Sequence, residues 1–472
     1  MAVESAEAHA VIAKHMVLEA PLRADRRFGP ADYARALVYC NHLDTDLSRL
    51  SPDDPEAARW LVRYLYALGR YQRRPNYILG RYWILLTRLG SKSDAMSAMV
   101  REATGLDLRE AILIAIGFLS LALGHGYVSA DGLIGHNIPA LGDVLGADKV
   151  GRFLSLISAS PHAFRQSLRP YATSDRLLAK YEYNPLWAYP IIDTGLDHPT
   201  HRYLIPSMGD LLFRCTEGVY YSAMAHYRGQ GTAENLFSEK FGYLFEEYIG
   251  CLLEYVGKSN HRLGQVRREF AYGDKRGKEA RSADWLLLNE REVTQVECKK
   301  FHTSNKFRLG ISDGSEDDFE ATLKRLAGHV AKLAKKAADI AAGRVPDIRA
   351  PSDGIVSVVL TLDEMYFVDS RLKQRIAALA MQCSQYMSED FRFHVLGATD
   401  FEILCEFLRS HPTLSMGSVL LGKGRDSGYE APIGDYLERT YGFRCLDMPL
   451  IEAASREVWG SIGFSSEAIG AG

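Results

Sequence analysis

The chain has 472 residues, more than one hydrophobic core usually organises, so its length predicts two or three domains. Hydrophobic residues make up 47% of the chain and charged residues 24%, which excludes a disordered or fibrous protein. The formal net charge is -3, so any surface that binds nucleic acid has to be local. The 7 cysteines show no CxxC spacing, which argues against a zinc ribbon and favours reduced thiols in the cytoplasm.

The first residues lack the basic and apolar segments of a secretory signal. The most apolar run, Ala111–Gly124, is shorter than the roughly 18 residues that a membrane span needs, and it predicts a buried helix. We therefore expect a cytoplasmic protein that has no membrane partner.

Residues 1–180 are predicted to form a mostly helical domain that recognises a partner or regulates activity. Apolar residues recur at helical spacing in three segments of this domain: Asp54–Leu68, Tyr77–Leu89 and Leu106–Leu123. Residues 181–231 are predicted to be a connecting segment, in which prolines interrupt short extended stretches and a helix runs from Met208 to Arg228.

The pattern changes to mixed α/β over residues 232–400. It predicts a helix, three strands, an amphipathic helix, a buried strand, a helix, a strand and the start of a further helix. The ranges, in that order, are Asn235–Val256, Gln265–Tyr272, Ala283–Asn289, Glu292–Lys300, Phe319–Ala342, Gly354–Leu362, 370–388, 392–397 and a helix that begins at Thr399. Residues 401–472 are predicted to be a mixed extension packed on this domain. The predicted fold class is multidomain, α + α/β.

Three polar residues of the second and third predicted strands carry the chemistry. Glu297 and Lys299 share one face of their strand, because side chains alternate between faces. Asp284 begins the preceding strand, and the short connection predicts an antiparallel hairpin that brings it beside Glu297. Two carboxylates on adjacent strands offer the hard oxygen ligands that Mg²⁺ prefers, and the ammonium group of Lys299 would stand beside them. This set suits phosphodiester hydrolysis, in which a metal ion activates water and neutralises developing charge.

This region resembles the PD-(D/E)XK, or restriction-endonuclease-like, nuclease superfamily over about residues 232–400. Asp284, Glu297 and Lys299 match the three motif residues, and Ala283 stands where the motif has proline. The segment Gly242-Tyr-Leu-Phe-Glu-Glu-Tyr resembles the GxxFExY helix that precedes the core strands in many of these enzymes. The residues that precede this region also loosely resemble large bacterial nucleases of the superfamily, some of which are defence proteins.

The resemblance implies a restriction-endonuclease-like α/β/α core with a mixed central sheet. It implies an endonuclease that uses Mg²⁺ or Mn²⁺ and acts on DNA in preference to RNA, with a role in defence against phage as a further hypothesis. Glu246 would help to hold the metal, as would the backbone carbonyl of Cys298, whose thiol we expect to pack in the core. A homodimer or a regulatory protein is a candidate partner.

Several side chains near the motif have alternative interpretations. Glu247 competes with Glu246 for the metal-binding role, and His302 is either a substrate contact or a loop residue without function. Gln295 shares the face of Glu297, and we expect it to make a cross-strand hydrogen bond. A set of basic residues is predicted to contact nucleic acid. Its members are Arg267, Arg268, Lys275, Arg276, Lys300, Lys332 and Lys336.

Two other functions remain open at this stage. The first is a catalytically inactive nuclease-fold module that only binds nucleic acid, and the intact Asp284, Glu297 and Lys299 set argues against it. The second is a helical interaction scaffold, in which the N-terminal half carries the function and the nuclease domain is a passenger. A P-loop and an HExxH motif are absent from the sequence.

Overall fold

The structure is a computed structural model of the chain. It describes residues 6–19, 29–42, 65, 75–125, 127–128, 145–169, 183–196, 202–273, 279–300, 315–365, 370–425, 431–445 and 448–461. The helices in these ranges are α1 (Ala6–Glu19), α2 (Pro30–His42), α3 (Pro75–Thr87), α4 (Ser91–Thr104), α5 (Leu108–His125), α6 (Ala147–Ile157), α7 (Pro161–Leu168), α8 (Met208–Cys215), α9 (Glu217–Tyr227), α10 (Thr232–Gly257), α11 (Ser315–Ala341), α12 (Ser370–Cys383), α13 (Ala398–Ser410), α14 (Met416–Arg425), α15 (Ile433–Tyr441) and α16 (Pro449–Gly460).

The strands of the described residues fall into three sheets. A small sheet holds β1 (Tyr127–Val128), β2 (Ser158–Ala159), β3 (Ile191–Asp193) and β4 (Tyr203–Leu204). A five-stranded sheet holds β5 (Gln265–Arg268), β8 (Trp285–Leu288), β9 (Glu292–Lys299), β10 (Gly354–Thr361) and β11 (Phe393–Gly397). The strands β6 (Ala271–Gly273) and β7 (Glu279–Arg281) pair only with each other.

The five-stranded sheet is mixed, in the order β11-β10-β9-β8-β5. Strand β8 pairs antiparallel with both β5 and β9, whereas β10 runs parallel to β9 and β11. The parallel pairs need crossover connections, and α11 and α12 occupy those connections. Strand β10 lies between two neighbours and its last six residues are buried, as its run of β-branched residues predicts.

Helices cover both faces of this sheet. Helix α10 packs on one face, where the Trp285 ring lies so close to Gly250 that a Cβ there would meet it at 2.5 Å. Helices α11 and α12 pack on the other face, against Leu286, Val293 and Val359. The predicted apolar side of α11 is confirmed, because all its members are buried: Phe319, Leu323, Leu326, Val330, Leu333, Ala337 and Ile340.

One hydrophobic core crosses the boundaries that the sequence suggested at residues 180, 231 and 400. It joins helices α3 to α5 with α8 to α10 and with α13 to α16. The last helix packs against α3 so closely that a Cβ on Gly80 would meet the Ile451 carbonyl oxygen at 2.2 Å. The described part of residues 401–472 is helical. It packs on the N-terminal helices as well as on the sheet.

Most predicted elements lie within a few residues of their predicted bounds, and two predictions were wrong. The helix Met208–Arg228 is two helices that break at Thr216, whose Oγ1 donates to the Leu212 carbonyl at 2.8 Å. The strand Gln265–Tyr272 is divided into β5 and β6, which belong to different sheets. The helix predicted at 54–68 lies outside the described residues, apart from residue 65. In the described residues, no helix has the length and apolar character to cross a membrane.

Candidate active site

Asp284 and Glu297 come together at the end of the β8–β9 hairpin. Trp285 is paired with Val296, so the next position along each strand sets Asp284 opposite Glu297. The Cys298 backbone N–H donates to Asp284 Oδ2 at 2.6 Å, so the carboxylate continues the hydrogen-bond ladder beyond the strand. This bond holds the Asp284 carboxylate in place on the side of the sheet that α11 covers.

Lys299 lies close to both carboxylates. Its Nζ lies 2.9 Å from Glu297 Oε1 and 3.7 Å from Asp284 Oδ2. Burial favours the neutral amine, but the charges of Glu297 and Asp284 outweigh it and raise the pKa of Lys299. Lys299 is therefore a stable cation at neutral pH, suited to donating hydrogen bonds to an anion.

A second lysine reaches the same carboxylate. Lys336 of α11, which the sequence predicted to contact nucleic acid, donates from Nζ to Glu297 Oε2 at 2.7 Å. The exposed fraction of its side chain is only 17%. The packing of α11 on β9 turns Lys336 towards the site, and its predicted contact with nucleic acid stays a prediction.

The two carboxylates have opposite pKa shifts. Burial and the charge of Glu297 raise the pKa of Asp284 to about 6. Burial acts in the same direction on Glu297, but the ammonium groups of Lys336 and Lys299 outweigh it and lower its pKa. Glu297 therefore holds the more stable negative charge of the pair, and both lysines are drawn to it.

Glu246 approaches from α10, on the other side of the hairpin end. Its backbone carbonyl accepts a hydrogen bond from Trp285 Nε1 at 3.2 Å, and its carboxylate has no partner among the described residues. Burial and the charge of Asp284 raise the pKa of Glu246 to about 7. The competing Glu247 forms ion pairs with Lys92 and Arg268, so its carboxylate is occupied. Glu246 is the better candidate ligand of the two.

The donor set fits a hard divalent cation. Asp284, Glu297 and Glu246 supply carboxylate oxygens and no soft ligand, which is the chemistry that Mg²⁺ and Mn²⁺ prefer. Within the described ranges, no three His, Cys, Asp or Glu side chains already stand together as a metal-holding group. A metal would therefore be held first by the facing pair, with Glu246 as a more distant ligand.

The neighbours of the motif have structural roles. The Cys298 thiol is buried in the core, as predicted, and burial together with the charge of Asp284 raises its pKa well above the usual range. The predicted cross-strand bond of Gln295 is confirmed, because its Nε2 donates to Ser357 Oγ at 2.6 Å. Lys300 donates to the Ser238 carbonyl, and burial lowers its pKa to about 8. Lys300 is thus tied to α10 rather than extended into solvent.

The predicted basic surface is divided by the sheet. Arg267 is paired with Leu286, which faces α11, and its guanidinium lies 4.5 Å from the centre of the Phe270 ring. Arg268 lies on the α10 side, 4.9 Å from the centre of the Trp285 ring, and pairs with Glu247. Of these two arginines, Arg267 shares the face of the carboxylates. Lys332 is exposed on α11, whereas Lys275, Arg276 and His302 lie outside the described residues.

Sequence reasoning missed His329. It lies two helical turns before Lys336 on the same side of α11, since residues seven apart share a face. Burial lowers its pKa to about 4, and the charges of Lys299, Lys332 and Lys336 act in the same direction. Its Nδ1 is buried without a hydrogen-bond partner in the described part of the chain. The seven-residue spacing from Lys336 could have identified this neutral imidazole, once α11 was known to border the site.

Comparison of the chain with protein-family models, with curated proteins and with solved structures finds no match. The geometry of the site therefore carries the functional argument.

Proposed function

We propose that the chain is a metal-dependent nuclease of the PD-(D/E)XK type that hydrolyses phosphodiester bonds. The observation that carries the proposal is the meeting of Asp284, Glu297 and Lys299 at one end of a hairpin. The element order around them supports it, because a helix precedes three antiparallel strands, and a helix and a parallel strand follow. That order fits the α/β/α core with a mixed sheet that the superfamily resemblance implies.

The roles of the residues follow from their charge and position. Asp284, Glu297, Glu246 and the Cys298 carbonyl would hold Mg²⁺ or Mn²⁺. A bound divalent cation supplies a Lewis acid that activates water and neutralises charge on a phosphate. Lys299 stays protonated, so we assign it to donating hydrogen bonds to a phosphate oxygen or orienting water, and not to removing a proton.

DNA is the proposed substrate, on the habit of the superfamily that the motif resembles. Arg267 and Lys332 are two of the described basic residues that we propose to contact its phosphates, because both lie on the α11 side of the sheet. A cytoplasmic enzyme that defends against phage is the corresponding biological proposal. Deletion of the gene should then raise the efficiency of phage plating, and unchanged plating would exclude that role.

Plasmid cleavage with Mg²⁺ or Mn²⁺ tests the activity. The wild type should nick or linearise the plasmid, and EDTA should stop it. Glu297→Ala should lose both metal binding and cleavage, whereas Lys299→Ala should keep metal binding and lose cleavage. Equal cleavage by all three proteins would refute the proposed site, and so would a metal-independent reaction.

A further inference from the structure

Glu297 is held by ammonium groups from two different elements. Lys299 comes from the same strand and contacts Oε1 at 2.9 Å, while Lys336 comes from α11 and contacts Oε2 at 2.7 Å. Both oxygens of the carboxylate are therefore occupied by cations. The Glu297 side chain is only 8% exposed, so water screens these contacts poorly.

The contact with Lys336 conflicts with metal binding. Mg²⁺ lies about 2.0–2.1 Å from its oxygen ligands. An ammonium group on the same carboxylate oxygen would repel the metal ion. Lys299 also contacts Asp284, so it keeps an anionic partner when Glu297 turns to a metal. The only ion pair of Lys336 that joins described residues is the one with Glu297. Lys336 is thus the cation that a metal would have to displace.

The position of α11 decides where a displaced Lys336 would go. The Leu333 carbonyl accepts a hydrogen bond from Gln295 Nε2 at 3.0 Å, which anchors the helix to β9 one turn before Lys336. A displaced Lys336 side chain would therefore turn while the helix backbone stays in place. In a site that holds a metal and a phosphodiester, the nearest uncompensated negative charge would be on the phosphate oxygens.

We infer that Lys336 is a second catalytic cation, which holds Glu297 in the metal-free protein and passes to the scissile phosphate when a metal takes its place. The inference rests on the proposed function. It assigns to Lys336 both a competition with the metal and a contact with the substrate. Metal and substrate would then bind cooperatively, since each favours the position of Lys336 that the other needs.

Titration of Mn²⁺ into the full-length protein by calorimetry tests the competition, and plasmid cleavage at saturating Mn²⁺ tests the contact. In Lys336→Met, Mn²⁺ should bind about tenfold more tightly, because the competing charge is gone. Cleavage by the same variant should fall about 10²-fold, the usual effect of losing one transition-state donor. Lys336→Arg retains a cation and should bind Mn²⁺ like the wild type, which separates charge from folding.

Lys335→Met is the matched control, since it removes a half-buried lysine from the neighbouring position of the same helix. Its affinity for Mn²⁺ should equal that of the wild type. If Lys336→Met binds Mn²⁺ no more tightly than the wild type, or cleaves at the wild-type rate, the inference is wrong and the nuclease proposal stands. If the wild type itself neither binds Mn²⁺ nor cleaves, both proposals fail.

Discussion

Two clusters of buried charge differ in how completely their members are paired. In the first, Arg81 donates to both oxygens of Glu402, at 2.7 and 2.6 Å, and Tyr248 Oη donates to Glu402 Oε1 at 2.5 Å. Arg81 Nη2 also donates to Thr399 Oγ1 at 2.7 Å. The exposed fractions of the Arg81 and Glu402 side chains are 2% and 0%. Every member has a partner, and the cluster fastens α3 to α10 and α13.

In the second cluster, at the candidate active site, the charges are not all paired. Glu297 carries two lysines, whose side chains are 26% and 17% exposed, and the Glu246 carboxylate has no described partner. Burial raises the pKa values of Asp284 and Glu246, which is a cost that a purely structural cluster avoids. The first cluster therefore uses all of its charges within the fold, whereas the second retains charge that the described residues do not pair.

The largest expected effect is on the paired cluster. Glu402→Ala leaves the Arg81 guanidinium buried without its counter-ion, which should lower the free energy of unfolding by about 3–5 kcal/mol. Urea denaturation followed by circular dichroism measures this loss. A decrease of under about 1 kcal/mol would contradict a structural role for the pair.

The next effect is on the site. Lys299→Met should reduce the rate of plasmid cleavage about 10²–10³-fold, because a donor to the developing phosphate charge is lost. Its free energy of unfolding should stay within about 1 kcal/mol of the wild type, because Lys336 still pairs with Glu297 and Asp284 can take up a proton. Lys258→Met, at the end of α10 and away from the site, is the control for loss of charge. If Lys299→Met unfolds like Glu402→Ala, the contrast between the clusters collapses.

A double substitution sharpens the contrast further. Arg81→Met with Glu402→Met replaces both ions by apolar groups, so no buried charge is left without a partner. We expect it to recover part of the loss in Glu402→Ala and to cost about 1–3 kcal/mol, because the Tyr248 hydroxyl loses its acceptor. Thermal and urea denaturation of the single and double variants provide the comparison. A double variant no more stable than Glu402→Ala would contradict the argument.

The smallest effect is a dependence on pH. The folded-state pKa values of Asp284 and Glu246, about 6 and about 7, lie above their ordinary values, so folding favours the protonated forms. These two carboxyls should therefore contribute a gain in stability to the metal-free protein as the pH falls from 8 towards 5, because protonation removes the penalty of burying their charges. His329, whose pKa is lowered to about 4, contributes in the opposite direction below about pH 6.5, so the Glu246 carboxyl contribution is the difference between the wild type and Glu246→Gln. Metal binding has the opposite sign, since the ligands must be deprotonated.

Calorimetric titration of Mn²⁺ between pH 5 and 8 tests whether the affinity for the metal falls as the pH falls. The apparent affinity should fall about tenfold per pH unit for each proton that the metal displaces. In Glu246→Gln, the part of the fall that lies near pH 7 should disappear. An affinity that does not change with pH would show that these carboxylates do not bind the metal.

Sequence reasoning succeeded where the structure depends on local rules. Strand alternation and a short connection were enough to place Asp284 opposite Glu297, and helical periodicity was enough to find the buried side of α11. It could not predict the contact of Lys336 with Glu297, because the pattern of polar residues on a helix does not indicate which lysine borders the sheet. Nor could it find the partner of Arg81, which is 321 residues away in the sequence. Apolar periodicity says that a helix is buried and leaves open what it is buried against.

The anomalous scattering of Mn²⁺ in crystals of the protein tests the central claim most directly. The account predicts one peak between the carboxylates of Asp284 and Glu297, with Lys336 Nζ moved away from Glu297 Oε2. Mn²⁺-dependent cleavage accompanied by a peak elsewhere, and by Lys336 still bound to Glu297, would contradict it.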